Sequence, residues 1–346
     1  MTKEEILREL QIRNLPNIPE KASWQETRAW ILSLFQQEEY GWMPDVPVEV
    51  SGQILAEDER PACGNAVYQK IAFTMRWAGG EHTFPIYLVL PKEKAKATFL
   101  HIAFPLRDPV HTMPYEEMAE RGFAIAAVEY VDITSDDGDF DNGLAGAWYH
   151  GRQRGPEDPG KIALWAWALT KVIDYLETLP LINTEKIAVV GHSRLGKTAL
   201  FTGLMDERIA LTISNDSGCS GASLNHGKQV GETIEVITRV FPYWFNEKYL
   251  SYSNHEEEMT WDQHFLLAGI APRRVYVASA AEDSWADPLS EQTAAEAARE
   301  VFAKLGLPRS FIGSHVRPGG HALARQDWLH YMDYIEKYML DSEKKG

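Results

Sequence analysis

The chain is short of cysteine, of positive charge and of long apolar runs, and each shortage removes a class of function. Its two cysteines, Cys63 and Cys219, lack CxxC spacing and are too few for a disulfide framework or a zinc module. They read as buried or half-buried thiols. Lysine and arginine number 34 against 50 aspartates and glutamates, a formal net charge of −16. A field of that sign repels nucleic acid and anionic membrane surfaces, so neither is expected as a partner. No run approaches the ~18 consecutive apolar residues of a membrane-spanning helix. The N-terminal MTKEEILREL carries acidic residues where a secretory leader has an apolar stretch, so the expected location is cytoplasmic.

What is present is an ordinary globular composition, 45% apolar and 24% charged. Helical spacing over 3–12 and 24–39, the second with Trp24, Ala29, Ile31, Leu32 and Phe35 on one face, predicts an N-terminal helical extension over 1–40. The catalytic domain is expected over 41–346. Within it, 40–66 is rich in proline, glycine and acidic residues and reads as a meandering connection. Two β-like runs, 68–77 and 83–90, flank Gly79-Gly80 and predict a hairpin. Short, nearly continuous apolar runs follow at 97–104, 124–129, 187–191, 211–215 and 275–280. They are separated by helical stretches such as 160–179. Strands without polar alternation belong to a parallel sheet covered on both faces. The expectation is α/β: a doubly wound, mostly parallel sheet with an antiparallel start and helices on both faces. Residues 130–158 are polar, acidic and glycine-rich. Asp136, Asp137, Asp139 and Asp141 lack EF-hand spacing, so a solvated loop is expected there and no metal.

Chemistry concentrates in INTEKIAVVGHSRLGKTALFTG, where a buried strand runs into Gly191-His192-Ser193-Arg194-Leu195-Gly196-Lys197 and then a helix. Strand, sharp turn and helix are the setting of a nucleophile elbow, which lifts a serine Oγ above the sheet and aims backbone N–H groups at an oxyanion. Leu195 stands where the second glycine of G-x-S-x-G belongs. The same residues satisfy GxxxxGK[ST], a phosphate loop. The rest of the chain arbitrates: a phosphate loop follows the first strand of its fold, whereas this motif follows at least four. A hydrolase instead needs an acid and then a histidine downstream. Acidic residues 282–283 follow the run at 275–280, and His321 follows a last short run near 311–316 on a Gly319-Gly320 turn.

GHSRLGK, NDSG ending the next strand, the Asp262-Gln263-His264 triplet, the LAGIAPR of 267–273 and the EDSWADP of 282–288 together resemble the bacterial branch of the glucuronoyl esterases, carbohydrate esterase family 15. The resemblance covers about 34–338 and implies an α/β-hydrolase fold. It implies a serine esterase acting on glucuronate (uronic acid) esters of carbohydrates, without metal or other cofactor. By position, Ser193 would be the nucleophile and His321 its base. Arg194 would stabilise the oxyanion. The acid would be Asp283 or Asp216, with strand-end placement favouring Asp283. Lys197, Glu232 and Trp285 would bind the sugar. His192 departs from the family's common cysteine, and Asp216 from its common glutamate. A cytoplasmic member would act on imported fragments, because lignin–carbohydrate esters do not enter cells.

Each role has a plainer counterpart. Arg194 could pair with surface carboxylates, Trp285 could be core, and Glu232 could lie on a solvated helix face beside Glu235 and Arg239. His264 and His315 read as hydrogen-bonded structural histidines. Phe241, Tyr243, Trp244 and Phe245 could line a pocket or cap the core. Other activities on the same fold are an acetyl or other acyl carbohydrate esterase, a general carboxylesterase, or a non-catalytic binding protein.

Overall fold

The computed structural model describes residues 1–105 and 113–340. The described residues form one sheet of strands β1 Val48–Asp58, β2 Ala66–Trp77, β3 Gly80–Pro91, β4 Ala97–Ala103, β5 Phe123–Glu129, β6 Ile187–His192, β7 Ile209–Asn215, β8 Arg274–Ala280 and β9 Ile312–Arg317. Their order is β1-β2-β3-β5-β4-β6-β7-β8-β9. β1, β2, β3 and β5 pair antiparallel, and every pair from β5 to β9 is parallel. This is the expected α/β-hydrolase arrangement, antiparallel start included.

The apolar runs are explained by two cores rather than one. Leu100, Ala124, Ala126, Ile187 and Val189 face a cluster built with helices Trp24–Phe35, Lys161–Leu176, Arg194–Met205, Gln263–Ala268 and Pro288–Lys304. Their immediate neighbours Phe99, Ile125, Ala188 and Val190 face a second cluster under helices Tyr115–Glu120 and Arg325–Ile335. Successive side chains point to opposite faces, so a strand covered on both faces needs apolar residues at every position.

Three expectations change. The connection expected over 40–66 contains β1, an exposed edge strand paired only with β2. Gly52 looks like a loop residue in sequence, but a Cβ there would lie 2.4 Å from the Tyr175 ring of helix Lys161–Leu176. A partner strand and a close approach make it β, which local propensity does not report. The segment 130–158 is not all solvated loop: it holds helices Tyr130–Ile133 and Gly143–Tyr149. Lys161 donates its buried ammonium to Asp139 O at 2.6 Å and Thr134 Oγ1 at 3.1 Å, and burial lowers its pKa to about 8. Cys63 is exposed, whereas Cys219 is buried as expected.

The N-terminal helices Lys3–Ile12 and Trp24–Phe35 lie against helices Pro288–Lys304 and Gln263–Ala268 respectively. Arg13 ties the first of them down, donating to Ser290 Oγ at 3.0 Å and lying 3.8 Å from Asp287 Oδ2. No helix among the described residues is long and apolar enough to cross a membrane. β4 has β5 on one side and β6 on the other, all parallel, so the order in which strands are added to the sheet reverses there. The crevice at the carboxyl ends of such strands is where open α/β sheets place their chemistry.

Candidate active site

Ser193 sits between β6 and helix Arg194–Met205 with φ +59° and ψ −129°, outside the regions ordinary residues prefer. Backbone strain of this kind costs about 1–3 kcal/mol and persists only where the surroundings impose it. Here they do. A Cβ at Gly191 would lie 2.0 Å from Leu195 O, so only glycine lets strand and helix come this close. The Ser193 N–H donates to Asn215 O at 2.9 Å, and Ser193 O accepts from Gly196 N at 2.8 Å. The N–H groups of Arg194 and Leu195 open the helix, where backbone donors have no intrahelical partner.

His321 follows β9 on a turn strapped to the turn after β8. Ala281 N donates to Arg317 O at 2.8 Å and Glu282 N to Gly319 O at 3.0 Å. His321 Nδ1 donates to Asp283 Oδ2 at 2.5 Å. Burial alone would raise the Asp283 carboxyl, but the hydrogen bond and charge of His321 outweigh it and hold the group below its usual range. With Nδ1 engaged by Asp283, Nε2 is the ring nitrogen that can serve as the base.

Asp216 lies nearby without making that bond. Its Oδ1 accepts the Ala280 N–H at 2.6 Å and its Oδ2 faces Arg317 Nη2 at 3.4 Å. Burial, then the charges of Glu291 and Asp283, raise its pKa to about 8, so it is mostly neutral where Asp283 is ionised. Of the two acids offered by the sequence, the geometry joins Asp283 to His321. Asp216, Asp283 and His321 do present ligand atoms within 4.8 Å of one another, a spacing that would suit a metal ion. Their acceptors are already committed, however, to His321, Ala280 and Arg317.

The other predicted residues divide into a buried pair and an exposed ring. Lys197 is buried, donates to Ser217 O at 2.6 Å and lies 3.8 Å from Glu232 Oε2. Burial lowers its pKa, partly opposed by Glu232. An ammonium so enclosed is not placed as a phosphate-loop lysine. Glu232 is buried too and precedes helix Ile234–Val240, so it is not on a solvated helix face; Glu235 and Arg239 do form the exposed i, i+4 pair, at 2.8 Å. The Glu232 N–H donates to Trp285 O at 3.0 Å, and Trp285 is 55% exposed, hence not core. Arg194 pairs with Asp136 in a half-buried setting instead of with a surface carboxylate. Phe241 and Trp244 lie beside Arg194, while Phe245 is buried in the core. His264 and His315 are structural, bonded to Pro16 O at 3.1 Å and Asp327 Oδ1 at 2.8 Å.

Three residues at the site carried no assigned role in the sequence reading. Arg317 grips the His321 turn from inside, donating to Gly320 O at 3.0 Å, to Ala322 O and to Asp327 Oδ2 at 2.9 Å. The Arg-Pro-Gly-Gly-His string hinted at it, since a glycine turn that must hold a histidine needs an external clamp. His192 holds its ring tilted by 46° at 4.4 Å from that of His321 and donates Nδ1–H to Asn215 Oδ1 at 2.7 Å. Burial, then the His321 charge, lower its pKa to about 4, so it is neutral. Asp136 was hidden in the acidic run. A separate cavity of about 480 Å³, between residues 10–27 and helix Pro288–Lys304, contains none of the predicted site residues.

The chain is similar to several known proteins. A family model described as glucuronyl esterase, fungi, matches residues 74–306. A carbohydrate esterase, MZ0003, from an unknown prokaryotic organism is 40% identical over 240 residues, 65% of this chain and 55% of that protein. The 4-O-methyl-glucuronoyl methylesterase 1 of Phanerochaete chrysosporium is 37% identical over 168 residues, 46% of this chain and 35% of that one. The match thus spans about half or less of these curated relatives. Among solved structures, a promiscuous CE15 esterase from a marine bacterial metagenome superposes with TM-score 0.81 at 30% identity, covering 94% of this chain and 95% of that one. A glucuronoyl esterase from Solibacter usitatus gives TM-score 0.84 at 26% identity, covering 93% and 97%.

Proposed function

The chain belongs to the glucuronoyl esterase family, and from that premise we propose that it is a serine esterase cleaving a glucuronate (uronic acid) ester of a carbohydrate. The observation that carries the reading is the His321–Asp283 bond of 2.5 Å beside the strained Ser193 turn. A serine hydroxyl is a weak nucleophile until a neutral imidazole takes its proton, and a carboxylate must orient that imidazole.

Ser193 Oγ attacks the ester carbonyl carbon while its proton passes to His321 Nε2. Asp283 stabilises the imidazolium. The tetrahedral oxyanion is met by the backbone N–H groups that open helix Arg194–Met205 and by Arg194. The C–O bond to the alcohol breaks, the alcohol leaves with the proton from His321, and the acyl group stays on Ser193. Water, deprotonated by the same imidazole, attacks this acyl-enzyme and releases the carboxylic acid. No step calls for a cofactor. The exposed Trp285 ring offers a flat apolar face to a sugar, and the Lys197–Glu232 pair behind it sets polar groups near the bound ring.

Two features support the uronate assignment: relatives bear the name 4-O-methyl-glucuronoyl methylesterase, and Glu232 links Trp285 to Lys197, which lies one helical turn past Ser193. A broader acyl-ester range is the second reading. It is favoured by the similarity to an esterase described as promiscuous. Hydrolysis of methyl glucuronate and p-nitrophenyl acetate, compared for wild type and Ser193→Ala, separates them. Uronate turnover lost in the variant upholds the first. Serine-dependent acetate cleavage alone leaves the second, and no serine-dependent turnover of either refutes both.

A further inference from the structure

The acidic segment after β5 and the aromatic segment after helix Ile234–Val240 have no part in the triad, yet they meet at Arg194. Asp136 is the knot. Its Oδ2 accepts from Arg194 Nη1 and from Tyr130 OH at 2.9 Å, and its Oδ1 accepts the Trp244 indole N–H at 2.7 Å. Its backbone carbonyl accepts Tyr243 OH at 2.9 Å. With both carboxylate oxygens and the carbonyl engaged by four different residues, Asp136 has one available position.

That position decides where the guanidinium lies. Arg194 is bounded by aromatic faces, 4.7 Å from the Trp244 ring, 5.1 Å from Phe241 and 5.6 Å from Phe104. Phe241 and Trp244 are themselves stacked at 3.9 Å and 3°. The Arg194 and Asp136 side chains are 23% and 11% exposed, so water screens the pair far less than a surface ion pair. Among the described residues Nη1 is the guanidinium nitrogen that makes a hydrogen bond, and Nε is buried with no partner. The guanidinium is therefore held along one edge while its remaining N–H groups stay uncommitted.

We propose that Asp136 is the positioning residue of Arg194, fixing the guanidinium by its Nη1 so that the free N–H groups serve the oxyanion formed at Ser193. The inference rests on the roles of Ser193 and Arg194 in the proposed function. It has a second consequence. Because Asp136 cancels the arginine charge, a carboxylate product meets no uncompensated cation and leaves readily.

The test is a double-mutant cycle on p-nitrophenyl acetate hydrolysis, with Asp136→Asn, Arg194→Ala and the pair. An oxyanion donor is worth about 10²–10³ in kcat, and losing its support should cost about 10–100-fold. Asp136→Asn should lower kcat by that factor with KM nearly unchanged, and by less than about threefold when Arg194 is already alanine. Inhibition by free glucuronate should strengthen in Asp136→Asn alone. Asp137→Asn, on the exposed side of the same segment, should match wild type. An equal loss in both Arg194 backgrounds, or none in the wild-type background, overturns the proposal. Thermal melting confirms that the variants fold. If Asp136→Asn does not fold, Trp244→Phe, which removes the indole donor to Oδ1, carries the same cycle with the same criterion. The esterase reading fails separately: turnover persisting in Ser193→Ala, or no turnover by wild type, would overturn that reading and this inference with it.

Discussion

Replacing Asp283 and Asp216 in turn, each by asparagine, tests the assignment of the acid. Asp283→Asn keeps the side chain's shape but removes the charge that His321 Nδ1 contacts at 2.5 Å. The imidazole then loses its oriented tautomer and the stabilisation of its protonated form. A substitution of this kind lowers kcat by about 10⁴-fold, or about 5.5 kcal/mol at 1.36 kcal/mol per decade. Asp216 has its pKa raised to about 8, so its neutral form predominates at pH 7. Asp216→Asn therefore replaces one largely neutral group with another and should cost less than about tenfold. The assay is kcat/KM at pH 7 on one ester for wild type and both variants. A loss in Asp216→Asn equal to or above that in Asp283→Asn would refute the reasoning and move the acid to β7. The same shift has a stability signature. An aspartate raised from 3.8 to about 8 on folding binds more protons in the folded than in the unfolded state across that window. Its contribution is fully present below the lower value and is lost as pH rises through the upper one. Asp216→Asn should thus flatten the fall of Tm between about pH 5 and 9 without abolishing it. Buried Glu291 and Glu39, raised to about 7 and about 8, keep part of the slope.

Arg317→Met should take away one partner of buried Asp327, which keeps His315 and the Ala324 N–H, and release the Gly320 and Ala322 carbonyls, costing about 1–3 kcal/mol of stability and about tenfold in kcat. Urea unfolding and steady-state kinetics check it, and Arg317→Lys should rescue little, because an ammonium cannot reproduce the fork. A lysine variant equal to wild type in both measurements would show that the clamp is not needed. On the proposed role of Lys197 in sugar recognition, Lys197→Met should lower turnover of methyl glucuronate about tenfold more than that of p-nitrophenyl acetate. Equal losses on the two esters would make it a purely structural residue.

Much of the architecture was legible because it follows from local periodicity. Every apolar run after residue 90 became a strand, and the strongest helical stretch became helix Lys161–Leu176. The order serine, acid, histidine also survived, because each group stands just past a strand end and the strands are parallel. β1 was not legible: its residues are mostly exposed and its glycine is explained by the ring of Tyr175, distant in sequence.

The site was legible in its membership and not in its wiring. Residue types and strand-end positions named Ser193, His321, Arg194 and two possible acids. Strand-end placement favoured Asp283, but only the tertiary structure joins it to His321 and surrounds Asp216 with other donors. Glu232 likewise had a solvated helix face as its plainer reading until the fold buried it against Lys197. Asp136 and Arg317 act through partners from several strands and helices, 58 residues away in the case of Arg194 and Asp136. Periodicity and motif spacing are properties of neighbours along the chain, so the chain alone specifies them. Desolvation, charge pairing and the sharing of one donor among several acceptors depend on which distant segments meet, and only the folded structure brings them together.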